Sequence, residues 1–215
     1  MIIQLHKEDL KSVMKLERNS WIPFLQADEK TILKRFDLGH IMLGAQEDSD
    51  LVGMISFSYS NFSPDDYPSF PKTFREFSSQ PILKNYNTAF CYNLAILPDK
   101  RGYRYASLLI RAGWDKAKKD GCMYGVADGR CSSYNGSSEF EQEQIKQNTE
   151  FKKIIDRYLK EGIFPQQKEF LKDPTLAFYH RVTGCKFLWL IPNFLPEDKP
   201  AGGLRVISYK NILEK

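Results

Sequence analysis

Between residues 88 and 127 the sequence leaves little freedom of fold. The run 88–97 is apolar except at Thr88 and Asn93 and stops at Pro98, as a buried strand does. Farther on, Ala106, Leu109, Ile110, Gly113, Trp114 and Ala117 recur at i, i+3, i+4 spacing, the stripe of an amphipathic helix. Lys116, Lys118 and Lys119 gather in its last turns, where cations suit the helix dipole, and Gly121 ends it. Residues 123–127 then read as a second strand, parallel to the first if the helix is a crossover. A strand, a helix and a strand in that order point to an α/β fold.

The flanking sequence extends the same pattern. Residues 2–5 read as a short strand, and 7–19 as a helix with Leu10, Val13 and Met14 on one face. Asp28 is a plausible N-cap for a helix reaching Phe36. The apolar runs 40–45 and 51–57 flank the polar turn 46–50 and predict an antiparallel hairpin. Residues 60–87, with Pro64, Tyr67, Pro68, Phe70 and Pro71, are too long for an ordinary connection, and such loops are usually functional or mobile. A second insertion covers 129–172. There Ser138-x-x-Glu141 is a capping-box pattern, and Ile145, Phe151, Ile154, Ile155 and Tyr158 support one or two helices ending near Gly162. Pro174 and Gly184 bracket a last helix over 174–183, and strands are expected at 187–191 and 204–209. The expectation is a single domain over 1–215 with a mixed sheet in the order β-α-α-β-β-β-α-β-α-β-β and insertions at about 60–87 and 129–172. A chain of 215 residues, 42% of them apolar, forms a core without disulfide or metal staples.

Charge and special residues narrow the function. Lys and Arg number 31 against 27 Asp and Glu, a net +4. That is too mild for nucleic acid but suits an anionic ligand at one locus. No stretch approaches the ~20 apolar residues of a membrane span, and the N-terminus turns charged too early for a secretory signal. Cys91, Cys122, Cys131 and Cys185 contain no C-x-x-C pair, and His6, His40 and His180 are scattered, so no metal is expected. A soluble, cytoplasmic chain follows as the expectation. Oligomeric state is left open, a homodimer included.

The chemistry concentrates between 98 and 107. A strand–turn–helix aims several free backbone N–H groups at one spot of partial positive charge, where a diphosphate fits. Lys100, Arg101 and Arg104 add three cations where a helix start prefers acids. A solvated basic turn would read the same way. However, Asn93-Leu94-Ala95-Ile96-Leu97-Pro98 followed by Arg101-Gly102-Tyr103-Arg104-Tyr105-Ala106-Ser107 resembles the acyl-coenzyme A signature of the GNAT acetyltransferase superfamily. That signature is a strand, a Pro, then R/Q-x-x-G-x-G/A opening a helix. Arg101, Ala106 and the small Ser107 match, whereas Arg104 stands where the pattern has its middle Gly.

The resemblance implies a mixed, mostly antiparallel sheet flanked by helices, whose fourth and fifth strands splay to admit pantetheine. Leu94, Ala95 and Ile96 would lie along that arm, with the Leu94 and Ile96 backbone bonding its amides. Arg101, Gly102, Tyr103, Arg104, Tyr105, Ala106 and Ser107 would hold the pyrophosphate. Acetyl-CoA as co-substrate and an amine-bearing acceptor are implied with it. Acyl transfer to an amine needs a base for the nucleophile and an acid for the departing thiolate. The family acid is usually a Tyr in a pattern like F-Y-x-x-x-G. In Phe178-Tyr179-His180-Arg181-Val182-Thr183-Gly184, counting from Phe178 selects Tyr179 and counting back from Gly184 selects His180. The family often carries a Glu base on the fourth strand, where this chain has Tyr92 and Asn93. Either water relays the proton, or the base lies elsewhere, or none is needed. Asp128 and Arg130, just past the fifth strand, are a candidate acid–cation pair for substrate.

The stretches around Asp173-Pro174 and Ile191-Pro192 resemble GNAT domains fused to carbon–nitrogen hydrolases and polyketide synthase loading domains. In some loading domains a His at the place of His180 assists malonyl-CoA decarboxylation and S-acyl transfer to a carrier thiol. Three readings therefore stand: an N-acyltransferase, a decarboxylase or acyl loader, and a module that binds acyl-CoA without turnover.

Overall fold

The computed structural model describes residues 1–134 and 148–214. In chain order it contains β1 (Ile2–Gln4), α1 (Leu10–Ser20), α2 (Glu29–Asp37), β2 (Ile41–Glu47), β3 (Asp50–Ser60), α3 (Phe74–Ser78), β4 (Thr88–Ile96), α4 (Tyr105–Lys119) and β5 (Tyr124–Arg130). These are followed by α5 (Thr149–Glu161), α6 (Gln167–Phe170), α7 (Pro174–Thr183), β6 (Lys186–Ile191) and β7 (Arg205–Asn211). The strands form one mixed sheet in the order β1-β2-β3-β4-β5-β7-β6, mostly antiparallel, with β4 and β5 parallel. The Ser138–Glu141 capping box and Ile145 lie outside the described residues. Among the described residues, no helix is long and apolar enough to cross a membrane.

Backbone contacts divide the chain into two compact units. The first is Met1–Pro71, Arg75–Val126 and Asn211–Lys215, and the second is Lys72–Phe74 and Ala127–Lys210. In the first, α1 and α2 close one face of the sheet over Leu5, Val13, Met14, Leu16, Ile32, Met42, Met54 and Ala95. The Asp28 carboxylate accepts the Thr31 N–H at 2.8 Å, so the expected N-cap forms. On the opposite face α4 packs closely. A β-carbon at Gly113 would meet Ile55 and Phe57 at 3.5 Å, and one at Gly125 would come within 2.7 Å of the Trp114 ring. In the second unit Phe151, Ile155, Phe170, Leu176, Phe187, Leu190 and Val206 form the core.

Three departures from the sequence expectation have simple causes. The β2–β3 turn is only Asp48-Ser49, both at positive φ (47° and 71°), as a tight hairpin requires. The polar residues beside it stay paired, Glu47 opposite Asp50. Polar residues also extend β3 to Ser60, and the 60–87 segment folds a short helix, α3. Finally, β5 runs through Arg130, so Asp128, Gly129 and Arg130 are strand residues rather than a turn beyond it.

Candidate active site

After β4, Pro98–Lys100 form a single 3-10 turn, Gly102 takes φ 91°, and Arg104 takes φ 68°, ψ 1°. Arg104 is the N-cap of α4, and no side chain caps that end. The first-turn amides therefore face outward with partial positive charge, a receptor for an anion. Left-handed backbone at a residue with a β-carbon costs ~1–2 kcal/mol. Arg104 occupies the motif's glycine position in the glycine conformation.

The three cations of this turn are not equivalent. Lys100 is ion-paired with Glu47 at the hairpin, and the Tyr105 hydroxyl donates to the other Glu47 oxygen at 2.7 Å. The Lys100 and Tyr105 hydrogen bonds hold the Glu47 carboxyl below its ordinary pKa. Arg101, also exposed, folds back on the chain and donates to the carbonyls of Ile96 (3.4 Å) and Ser20 (3.2 Å). That clamps the end of β4 to the end of α1. Arg104 is exposed and makes no ion pair among the described residues, so it is the cation left to meet an anion. Gly102 and Tyr103 are exposed, whereas Ala106 and Ser107 are half-buried in the first turn of α4.

Along β4, Leu94 is half-buried and Ala95 and Ile96 are buried. The β3–β4 register shifts between Ser56, opposite Asn93, and Phe57, opposite Cys91. Tyr92 is the extra, bulged residue. A bulge re-aims side chains, and here the adjacent Tyr92 and Asn93 both reach helical partners on the α1/α2 side. The 60–87 segment borders a cavity of ≈ 350 Å³ with Ser60, Asp66, Gln80, Asn87 and Phe90 in its wall.

In the second unit, α7 begins at Asp173, whose buried carboxylate accepts the N–H groups of Thr175 (2.9 Å) and Leu176 (3.1 Å). It ends at Gly184, φ 68°. Tyr179 is half-buried against the core of this unit. His180 Nδ1 lies 2.8 Å from the Cys185 carbonyl oxygen. A carbonyl only accepts, so Nδ1 carries the proton and the neutral ring keeps its lone pair on Nε2. Asp128 and Arg130 do not pair with one another. Arg130 makes two bonds to Asp198 (2.7 and 2.8 Å), Arg205 bonds Asp198 at 2.9 Å, and Asp128 lies 3.5 Å from Arg205. Alternate strand residues share a face, so two side chains expected to form an isolated pair join one four-membered charge network.

The profile of the Acetyltransferase (GNAT) family matches residues 10–134, more than half of the chain. The chain belongs to the GNAT acetyltransferase family. No curated protein matches it. Among solved structures, the GphF GNAT-like decarboxylase in complex with isobutyryl-CoA superposes with a TM-score of 0.73 at 18% identity, covering 99% of each chain. The loading GNATL domain of CurA from Lyngbya majuscula gives 0.71 at 20% identity, covering 100% of each. The ribosomal-protein-S18-alanine N-acetyltransferase from Escherichia coli gives 0.61 at 12% identity, covering 99% of this chain and 93% of the other. At such identities the likeness is one of fold.

This GNAT chain carries further site-like residues that its sequence pattern did not single out. Glu17 of α1 is 2% exposed, with one carboxylate oxygen accepting the Ala27 N–H (2.8 Å) and the other facing the Asn93 amide nitrogen (3.4 Å). Burial raises its pKa against the lowering effects of the Ala27 bond and the Arg35 charge. His40 donates from Nε2 to the Gln80 carbonyl (2.7 Å) and accepts the Tyr92 hydroxyl at Nδ1 (2.8 Å). Burial drives its pKa down to about 4. In the sequence Glu17 is one charge on an amphipathic helix. Only the packing of α1 on β4 gives the GNAT strand a carboxylate neighbour.

Proposed function

We infer that the chain is an acyl-CoA-dependent N-acyltransferase, with acetyl-CoA as donor and an amine as acceptor. The observation that carries this reading is the turn after β4: uncapped α4 amides, a strained Arg104 in a glycine conformation, and an exposed guanidinium beside them. In the reaction the amine nitrogen attacks the thioester carbonyl, the C–N bond forms and the C–S bond breaks. One proton leaves nitrogen and one reaches the thiolate, giving an amide and free coenzyme A. Leu94, Ala95 and Ile96 bind the pantetheine arm, and residues 101–107 bind the pyrophosphate. His180 is the proposed acid when its ring is protonated, with Tyr179 as the alternative. Asn93, held by Glu17, stands where related enzymes carry a basic carboxylate, and Asp128 and Arg130 are proposed to shape the acceptor side.

A second reading has specific support. The fixed Nδ1–H of His180 leaves Nε2 free for proton exchange, and the overlay with GphF covers 99% of both chains. On that reading malonyl-CoA loses carbon dioxide, the resulting carbanion takes up a proton, and the acetyl group passes to a thiol. Calorimetric titration with coenzyme A tests the shared premise. Ligand at 100 times its dissociation constant should add about 2.7 kcal/mol of stability, and no heat or melting shift at millimolar coenzyme A overturns both readings. Thiol release from acetyl-CoA with an amine panel supports the first reading. Carbon dioxide loss from malonyl-CoA without added amine, followed by mass spectrometry, supports the second.

A further inference from the structure

The sheet face beneath α1 and α2 is apolar from Leu5 to Ala95 and then changes character abruptly. Next to that core stand Glu17, Arg35, Tyr92 and Asn93, exposed by 2%, 6%, 5% and 8%. Arg35 of α2 lies over the Tyr92 ring, 4.9 Å from its centre. Its guanidinium makes no hydrogen bond or ion pair among the described residues, and its Nε is buried without a partner. Glu17 feels its charge, but both Glu17 oxygens are engaged elsewhere, by the Ala27 N–H and the Asn93 amide. A buried guanidinium with no hydrogen-bonded anion is costly, and proteins as a rule pair it.

Asn93 presents the complementary deficit. Its Nδ2 is turned to the Glu17 carboxylate, which in its ionised form accepts and does not donate. Oδ1 is thereby left as an acceptor, buried and unpartnered. The bulge at Tyr92 places the residue beneath Arg35 directly beside Asn93. Around the adjacent Tyr92 and Asn93, therefore, a guanidinium lacks a hydrogen-bonded anion and an amide oxygen lacks a donor, with the Glu17 carboxylate facing the same amide.

We propose that this cluster is the recognition site for the acceptor, and that the acceptor is a free amino acid. Its carboxylate pairs with the Arg35 guanidinium, a planar match of donors to oxygens. Its amino group donates to Asn93 Oδ1, under the field of Glu17. Neither a plain amine nor a plain carboxylate satisfies both ends. The assignment rests on the N-acyltransferase reading for its role, but binding at this cluster is measurable without coenzyme A.

The test is calorimetry and thermal melting of the full chain with glycine, alanine, glutamate, lysine and phenylalanine, and with ethylamine and propionate as single-headed controls. At least one amino acid should bind tenfold or more tightly than both controls. Arg35→Met, which keeps the volume and removes an unpaired charge, should abolish that preference while Arg35→Lys restores part of it. Asn93→Ala should weaken the same amino acid at least threefold with coenzyme A affinity unchanged, and it serves alone if Arg35→Met does not fold. The proposal is overturned if no amino acid outbinds the controls, if Arg35→Met or Asn93→Ala binds like the parent, or if soaked crystals show only ordered water between Arg35 and Asn93. Because coenzyme A is titrated separately, its failure to bind would sink the acyltransfer reading and leave the amino acid site standing.

Discussion

At the level of single residues, Arg104 concentrates two opposed effects. Its left-handed backbone is strained without ligand, yet its side chain is the exposed cation of the turn. Arg104→Gly should therefore stabilise the free protein by ~1 kcal/mol. The same change should weaken coenzyme A binding by ~1.5–3 kcal/mol, at least tenfold, through loss of a charge-assisted phosphate bond. Melting and titration of one variant read both signs. Arg101→Ala should behave in the opposite manner, because its guanidinium holds the Ile96 and Ser20 carbonyls. It should lose about 1 kcal/mol of stability, and a larger loss of affinity than in Arg104→Gly would contradict this division of labour. The motif showed that these arginines belong to the turn. Their different duties were illegible, because the partners of Arg101 and Lys100 are up to 81 positions away in the chain. His40 makes a third residue-scale case. Its pKa falls from 6.5 to about 4 in the folded chain, so between those values the unfolded chain binds the extra proton and stability drops as pH falls. The opposite slope comes from Glu17, whose raised pKa makes folding less favourable as pH rises past the ordinary carboxylate value. The difference between parent and His40→Asn curves isolates the histidine, and it should shrink on the acid side of pH 6.5. Parallel curves from pH 7 to 4 would refute the buried neutral ring.

For elements, local signals predicted what local forces decide. Asp28, Pro174, Gly184 and the α4 stripe gave helix ends to within a residue or two, because caps, proline and left-handed glycine act within one turn. Strand ends were less legible. Ser58 and Ser60 look like loop residues, as do Asp128 and Arg130, but each lies in a strand: Ser60 bonds Gln80, Arg130 bonds Asp198 and Asp128 lies near Arg205, while the Ser58 hydroxyl is buried without a partner. The start of α7 shows the limit well. Pro174 marks the helix, but nothing nearby reveals that Asp173 also accepts the Ser133 N–H (2.8 Å) and hydroxyl (2.7 Å) from 40 positions away. Asp173→Ala should then exceed an ordinary cap loss, because it orphans buried donors on two segments, at a cost of about 2–4 kcal/mol. Urea unfolding checks it: the midpoint should fall with the slope unchanged. A loss near 0.5 kcal/mol would reduce Asp173 to a solvent-exposed cap.

Across the whole molecule, hydrophobic periodicity was enough to order most elements along the chain and to place the turn at 98–104 between a strand and a helix. It could not place β7 between β5 and β6, nor pair Asp128 and Arg130 correctly, because strand neighbours depend on long-range contacts that carry no local pattern. The Arg130–Asp198–Arg205–Asp128 network illustrates what such contacts do. Asp198 comes from the irregular segment between β6 and β7 and is fully buried, bonded to two arginines. Burial alone would raise its pKa, but the Arg130 hydrogen bonds and the Arg205 charge outweigh burial and hold it below 3.8. A depressed carboxyl contributes stability above its unfolded pKa and loses it as pH falls through the folded value. Asp198→Asn would keep the shape and leave Arg205, itself 4% exposed, and Arg130 with Asp128 near the first and the Asp173 charge acting on the second. Breaking one side of a buried pair costs about 3–5 kcal/mol, a large part of the ~10–30 kcal/mol that 0.05–0.15 kcal/mol per residue allows a chain of this length. Asp198→Asn combined with Arg130→Met should recover part of that loss by removing the uncompensated charge along with its partner. If the double variant is no more stable than the single one, the segment is held by packing at Pro200, Ala201 and Leu204 instead of by charge.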